Sequence, residues 1–215
     1  MVNINAISRA ALLLPLVTPA YANPCPTCSP KPPAFILAGD STTAVQSAGG
    51  GGWGKGFLSF LRAPPAWGVN KGHNGATTVS FVQGGDWANV TRLIDEKNAE
   101  GFQVFPADAP HDVKDTLHDE RLATIAAAAR DPTGATTLLD LNAASRTYVN
   151  RIGRDAAHAY NLKADDETHL DDWGSVVFGR MVADLLLESM AGKCLGPWVR
   201  PNATLSRAIR DGVLA

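Results

Sequence analysis

The sequence predicts an α/β domain with a mainly parallel sheet. Two observations carry this prediction. Short apolar runs alternate along the chain with stretches of helical period. The first run, Ala34-Phe35-Ile36-Leu37-Ala38, is apolar at every position. Such a run reads as a buried strand. In such sheets, binding and chemistry gather at the carboxyl ends of the strands. Residues just past position 38 are therefore the first place to look.

The chain has 215 residues, enough for one domain with its own core. Its formal net charge is −2 with both signs mixed. No basic stripe points to nucleic acid and no acidic tail points to a solvating segment. Arg9, the apolar run Ala10–Val17 and Ala20-Tyr21-Ala22 have the layout of a secretory signal, so residues 1–22 are expected to be removed. That run is far short of the roughly 20 residues a membrane span needs. Secretion is the expected localisation, and no membrane partner is expected.

Residues 23–33 are rich in proline and read as a linker into a domain over 34–195. The glycine-rich run Ala48–Gly52 reads as a flexible loop, and Phe57–Leu61 begins a short helix. A second strand is expected over Ala66–Asn70. A helix follows over Thr77–Gln83, and another is N-capped by Asp86 and carries Trp87, Val90, Leu93 and Ile94 on one face. Residues 97–117 hold Pro106 and Pro110, show no period and read as structureless. A helix is expected over 119–130 and a buried strand over Thr136–Leu141. Asn142 then caps a helix whose stripe is Tyr148, Val149, Ile152, Ala156 and Tyr160. The clearest helix, 172–190, places Val176, Val177, Met181 and Leu185 at helical spacing. The tail 196–215 reads as loosely attached.

Three cysteines, Cys25, Cys28 and Cys194, sit in a chain expected to be secreted. Cys194 is expected to pair with Cys25 or Cys28, leaving one thiol over. Cys25-Pro26-Thr27-Cys28 has no second pair to complete a zinc site, and no metal is expected. The sequons at Asn89 and Asn202 are glycosylation candidates. Gly49-x-x-x-x-Gly54-Lys55 falls short of a phosphate-binding loop. Gly56 stands where a Ser or Thr must hold magnesium.

Asp40-Ser41-Thr42-Thr43 follows the first strand, and Asp166-Glu167-Thr168-His169 precedes the clearest helix. A hydroxyl nucleophile needs a base in reach, and the base needs a third group to fix its tautomer. Ser41, His169 and Asp166 supply those three roles in that chain order.

These residues resemble the blocks of the GDSL-type (SGNH) hydrolases, and among them the fungal rhamnogalacturonan acetylesterase group. The first block resembles Gly39-Asp40-Ser41-Thr42-Thr43 with Gly52-Trp53-Gly54. The second resembles Asn70–Phe81 with Gly75 at the family glycine, and the last resembles Asp166–His169. Asp140-Leu141-Asn142 and Tyr148-Val149-Asn150 also fit. The resemblance implies a three-layer α/β/α flavodoxin-like fold. It implies Ser41 as nucleophile, His169 as base, Asp166 as orienter, and the N–H groups of Ser41 and Gly75 as oxyanion donors. No cofactor is implied. The implied reaction is removal of O-acetyl groups from a plant cell-wall polysaccharide by a monomer, through an acyl-enzyme.

The third family block, a Gly-x-Asn-Asp whose Asn is a further oxyanion donor, has no counterpart. The nearest string is Pro110-His111-Asp112. Against the family pattern the chain lacks central elements, about a strand, a helix and a further strand. Two rival functions follow from the same residues. One is a non-catalytic carbohydrate binder, with Trp53, Trp67, Trp87 or Trp173 as stacking faces. The other is a lipid or aryl esterase on the same scaffold.

Overall fold

The computed structural model describes residues 31–107, 137–189 and 191–215. Among these residues the main sheet has three parallel strands. They are β1 (Pro33–Leu37), β4 (Trp67–Asn70) and β5 (Gln103–Ala107), in spatial order β4-β1-β5. A smaller antiparallel sheet joins β2 (Val45–Ser47), β3 (Gly50–Gly51) and β6 (Leu170–Asp171). The helices, numbered among the described residues, are α1 (Gly54–Ser59), α2 (Thr78–Gln83), α3 (Asp86–Ala99), α4 (Leu141–Ile152), α5 (Arg154–Ala157), α6 (Asp172–Glu188) and α7 (Ala203–Asp211).

The pleat of β1 explains the layers. Successive side chains leave a strand on opposite faces. Phe35 and Leu37 enter one apolar cluster with Phe57 and Phe60, Tyr148, and Val177 and Met181 of α6. Ile36 and Ala38 enter another with Phe81 of α2 and Val90 of α3. Helices therefore cover both faces, giving the α/β/α arrangement. Phe35, Ile36 and Leu37 are buried, and each contributes about 2 kcal/mol of apolar transfer free energy. From β1 the chain steps to β4 on one side, then returns to β5 on the other. The strand order reverses at β1, and the crevice of such a sheet opens at the carboxyl end of that strand.

Several expectations need correction. Residues 97–117 are not structureless throughout, because Gln103–Ala107 pairs with β1 from Pro33↔Gln103 to Leu37↔Ala107. A strand thus stands beside β1 where the sequence predicted a gap. Val104 and Phe105 turn to opposite clusters, and Phe105 stacks on Phe35 at 5.2 Å between ring centroids. Pro106 and the nearby glycine mask this two-residue period. The expected strand over Thr136–Leu141 is also absent where described. Residues 137–140 carry no regular structure, and Asp140, rather than Asn142, caps α4 by accepting from the Ala143 N–H at 3.0 Å.

The single helix expected from Asn142 to Tyr160 is broken. Gly153, with φ 86°, ends α4, and a 3₁₀ turn over His158–Tyr160 follows α5. Helix α1 starts at Gly54 rather than Phe57. Gly85, not Asp86, occupies the cap position of α3, with Asp86 in the first turn, where its charge favours the helix dipole. The flexible glycine loop is instead β3, whose two residues are buried.

The tail is firmly attached. Leu61 bridges Val199, Arg62 N–H donates to the Trp198 carbonyl, and Arg200 N–H to that of Phe60. Buried Arg180 of α6 bonds Asp184 and the Arg200 carbonyl, with its guanidinium 5.0 Å from the Phe60 ring centroid. The expected signal segment, most of the linker, Cys25, Cys28, the 119–130 helix and Pro110-His111-Asp112 lie outside the described residues. Cys194 is disulfide-bonded, and its partner also lies outside them. No helix among the described residues is long and apolar enough to cross a membrane.

Candidate functional site

Ser41 lies in a tight turn just past β1. The Asp40 carboxylate shapes that turn. Its Oδ1 accepts from the Thr42 N–H and the Thr42 hydroxyl, both at 2.8 Å, and the Asp40 carbonyl accepts from the N–H groups of Thr43 and Ala44. An Asp side chain that satisfies backbone donors two residues on is a standard way to hold a turn.

The next strand end is tied to the same place. Beyond β4, Lys71 N–H donates to the Leu37 carbonyl at 2.7 Å and His73 N–H to that of Gly39 at 2.9 Å. Asn70 bridges the two turns, donating from Nδ2 to the Thr43 carbonyl and accepting from the Gly72 N–H. Gly75 follows with φ 73°, a left-handed conformation that favours glycine, and its missing side chain would face open space. Among the described residues, the N–H groups of Ser41 and Gly75 have no hydrogen-bond partner. Two free donors at adjacent strand ends are suited to accept a developing negative charge.

His169 and Asp166 sit together on the loop before α6. The imidazole Nδ1 lies 2.9 and 3.1 Å from the two Asp166 carboxylate oxygens. Asp166 also accepts from the N–H groups of Thr168 and His169 at 3.0 and 2.9 Å. The His169 and Thr168 N–H bonds, then the imidazole itself, hold the Asp166 carboxyl down to about 2. It is therefore ionised at neutral pH and accepts a hydrogen bond from Nδ1–H, so in the neutral imidazole Nε2 is the acceptor. On the same loop, Glu167 meets Arg154 at 3.1 Å and His158 at 3.8 Å. These pairs are exposed and contribute little.

The small sheet joins the two halves. Leu170, next to His169, pairs with Gly51, and Asp171 pairs with Gly50. One residue on, Gly52 N–H donates to Ala44 and Trp53 N–H to Thr42, on the far side of the Ser41 turn. Gly52 is required by close approach, because a Cβ there would stand 1.8 Å from the Thr42 carbonyl oxygen. Ser175 of α6 adds a clamp, donating to the Gly52 carbonyl and accepting from the Gly56 N–H. Asp166 and His169 are thus in direct contact. Ser41 is anchored to the same small sheet but makes no hydrogen bond to His169 among the described residues. Such bonds are often long before substrate arrives.

The other expected site residues are placed as follows. Asn89 is exposed on α3, whereas Asn202 caps α7 by accepting from the Leu205 N–H at 3.1 Å. Trp53, Trp67 and Trp87 pack partly buried against the two cores, while Trp173 is 48% exposed. The Asn sought as a third oxyanion donor has no counterpart in Asp108–Asp112, the residues that follow β5. No group of His, Cys, Asp and Glu among the described residues is arranged to hold a metal.

Sequence reasoning missed a second imidazole–carboxylate contact, His73 Nδ1 to Asp86 at 2.7 Å. It lines a cleft of about 420 Å³ with Ala44, Val45, Lys71 and Asn74, flanking the turns of Ser41 and Gly75. The available signal was a histidine inside the second block. From sequence, Asp86 reads as a helix cap alone.

No protein-family model matches the chain, and no curated protein does. Among solved structures it is similar to protein YxiM from Bacillus subtilis, with 17% sequence identity and a TM-score of 0.51. The alignment covers 73% of this chain and 56% of that one, so this chain spans little more than half the length of that structure. The likeness supports the α/β/α fold.

Proposed function

We propose that the chain is a serine esterase that removes acetyl groups from a cell-wall polysaccharide, as its likeness to the GDSL-type hydrolases implies. The observation that carries this reading is the small sheet. Through it, an ionised Asp166 and its imidazole partner share one scaffold with the Ser41 turn and its free N–H groups. A binding protein has no need of that combination.

The chemistry follows from the parts. Ser41 Oγ attacks the ester carbonyl while His169 Nε2 takes its proton. The negative oxygen of the tetrahedral adduct is received by the N–H groups of Ser41 and Gly75. Collapse breaks the bond to the sugar oxygen, which leaves with the proton from His169. A water then attacks the acetyl-serine and gives a proton to His169, and the second adduct collapses by breaking its bond to Ser41 Oγ, which takes that proton back from His169 as acetate is released. Asp166 stays ionised throughout and stabilises the imidazolium. Two donors rather than three imply turnover reduced by about 10²–10³-fold relative to a complete oxyanion hole.

A polysaccharide substrate is favoured by the exposed indole of Trp173, four residues beyond His169, because sugar faces stack on such rings. The test is acetate release from acetylated pectin and from acyl esters of simple alcohols, with Ser41→Ala alongside. Activity on pectin that is lost in the variant supports the reading. Preference for simple acyl esters replaces it with a lipid or aryl esterase. A folded chain with no activity, and no labelling of Ser41 by a serine-directed phosphonate, overturns it in favour of a binder.

A further inference from the structure

Residues Val213–Ala215 have an unusual attachment. Val213 and Leu214 are 57% and 49% exposed, and Ala215 is the residue of this segment that packs, partly buried, against the core. Main-chain hydrogen bonds make the remaining attachment. Ala215 N–H donates to the hydroxyls of Tyr148 and Tyr160 at 3.2 and 3.1 Å. The Ala215 carbonyl receives Trp173 Nε1 at 2.9 Å and the Tyr160 hydroxyl at 3.3 Å, and the Val213 carbonyl receives the Tyr148 hydroxyl at 3.2 Å.

Tyr148 and Tyr160 are 1% and 2% exposed, and their hydroxyls lie 2.6 Å apart. Buried hydroxyls need partners. Two phenolic protons share three acceptor positions here, and without residues 213–215 each hydroxyl would keep only the other. Arg151 of α4 donates to the Arg210 carbonyl at 2.7 Å and seats the helix that delivers the segment.

The three side chains that grip this segment do not lie at random. Tyr160 is the last residue before the loop 161–169, which carries Asp166 and His169. That loop is closed by the Asn161↔Leu170 bridge and by Leu162 N–H donating to the His169 carbonyl at 2.9 Å. Trp173 is the second residue of α6, which follows the loop after the two residues of β6. One short segment therefore touches both roots of the loop.

We propose that Val213–Ala215 is a clasp that fixes the roots of the Asp166–His169 loop, with Tyr160 and Trp173 as positioning residues. Its value to catalysis rests on the esterase reading above; its effect on the loop does not. The clasp acts through geometry, by preventing the two roots from parting and so keeping the carboxylate under its three donors.

The test uses the full chain carrying Tyr160→Phe and Trp173→Phe, which remove both side-chain donors to the Ala215 carbonyl and leave an aromatic ring at each position. Amide exchange is followed at Leu162, Thr168 and His169, with the amides of β1 as reference. Exchange in the loop should quicken by about tenfold while β1 stays unchanged. The Asp166 carboxyl, titrated by NMR, should move up from about 2 toward its ordinary 3.8, a signature that a merely structural role would not give. Loop exchange within twofold of the parent, or equal quickening of β1, overturns the clasp. If the double variant does not fold, Trp173→Phe alone is read in the same way. Both readouts work without turnover, so an inactive parent would remove the esterase reading and leave this one to the exchange rates.

Discussion

Replacing Gly52 by Ala should separate a strut of the site from ordinary loop backbone. A Cβ at position 52 would meet the Thr42 carbonyl oxygen at 1.8 Å, the Thr42 carbonyl carbon at 2.0 Å and the Thr43 nitrogen at 2.4 Å. The first contact is roughly 1.5 Å short of van der Waals distance. All three neighbours are backbone atoms, so no side chain can swing away. The strand β3 and the Ser41 turn must move apart instead. Overpacking of this kind costs about 2–3 kcal/mol, or roughly 5–10 °C in melting temperature for a chain of this size. Displacing the nucleophile by about 1 Å lowers turnover by about 10²-fold. Gly49→Ala is the control, because nothing lies within 4 Å of its Cβ position. The assays are a thermal melt and initial-rate hydrolysis of an acetyl ester. If both variants behave alike in both assays, the small sheet is not what aligns the two halves of the site.

Four further outcomes follow. Ser41→Ala should abolish esterase turnover by at least ~10³-fold while leaving the melt unchanged, as read by acetate release and circular dichroism. Asp166→Asn should lower kcat by about 10⁴-fold with little change in KM, because the wrong imidazole tautomer is then favoured. The Asp166 carboxyl is held at about 2 in the folded chain, below its ordinary 3.8. Between these values the unfolded chain binds more protons, so this stabilisation is present above pH 4 and fades as the pH falls through 2. Urea midpoints measured from pH 5 downward should fall more steeply in the parent than in Asp166→Asn. Arg180→Ala should lower stability by about 3 kcal/mol in urea unfolding, because it leaves Asp184 and the Arg200 carbonyl without their buried donor.

What could be read from the sequence depended on how local each signal was. The run 34–38 announced a buried strand, and the structure adds that Phe35 and Ile36 enter separate clusters on its two faces. Asp166 and His169 are three residues apart, so a single turn brings them together. The strand Gln103–Ala107 was hidden because proline and a preceding glycine interrupt its period, while its stability comes from pairing with β1. The glycines of β3 carry no strand propensity at all. They form a strand by pairing with β2 and β6, and at Gly50 a Cβ would stand 2.2 Å from the Leu170 carbonyl oxygen. The attachment of the tail was illegible for a related reason. Val213 and Leu214 look like burial signals, yet main-chain groups make the contacts.

The clamp made by Ser175 also bears on how the molecule is made. Its hydroxyl bonds Gly52 and Gly56 across sequence separations of 123 and 119 residues. Closing so long a loop is entropically costly and slow compared with forming local contacts. During synthesis the turn that holds Ser41 leaves the ribosome well before Asp166, His169 and α6 exist to meet it. The hydroxyl therefore waits beside no base while the chain is still growing. Whatever chemistry the site performs begins only when the late helix docks, so completing the fold and switching on the site are a single event.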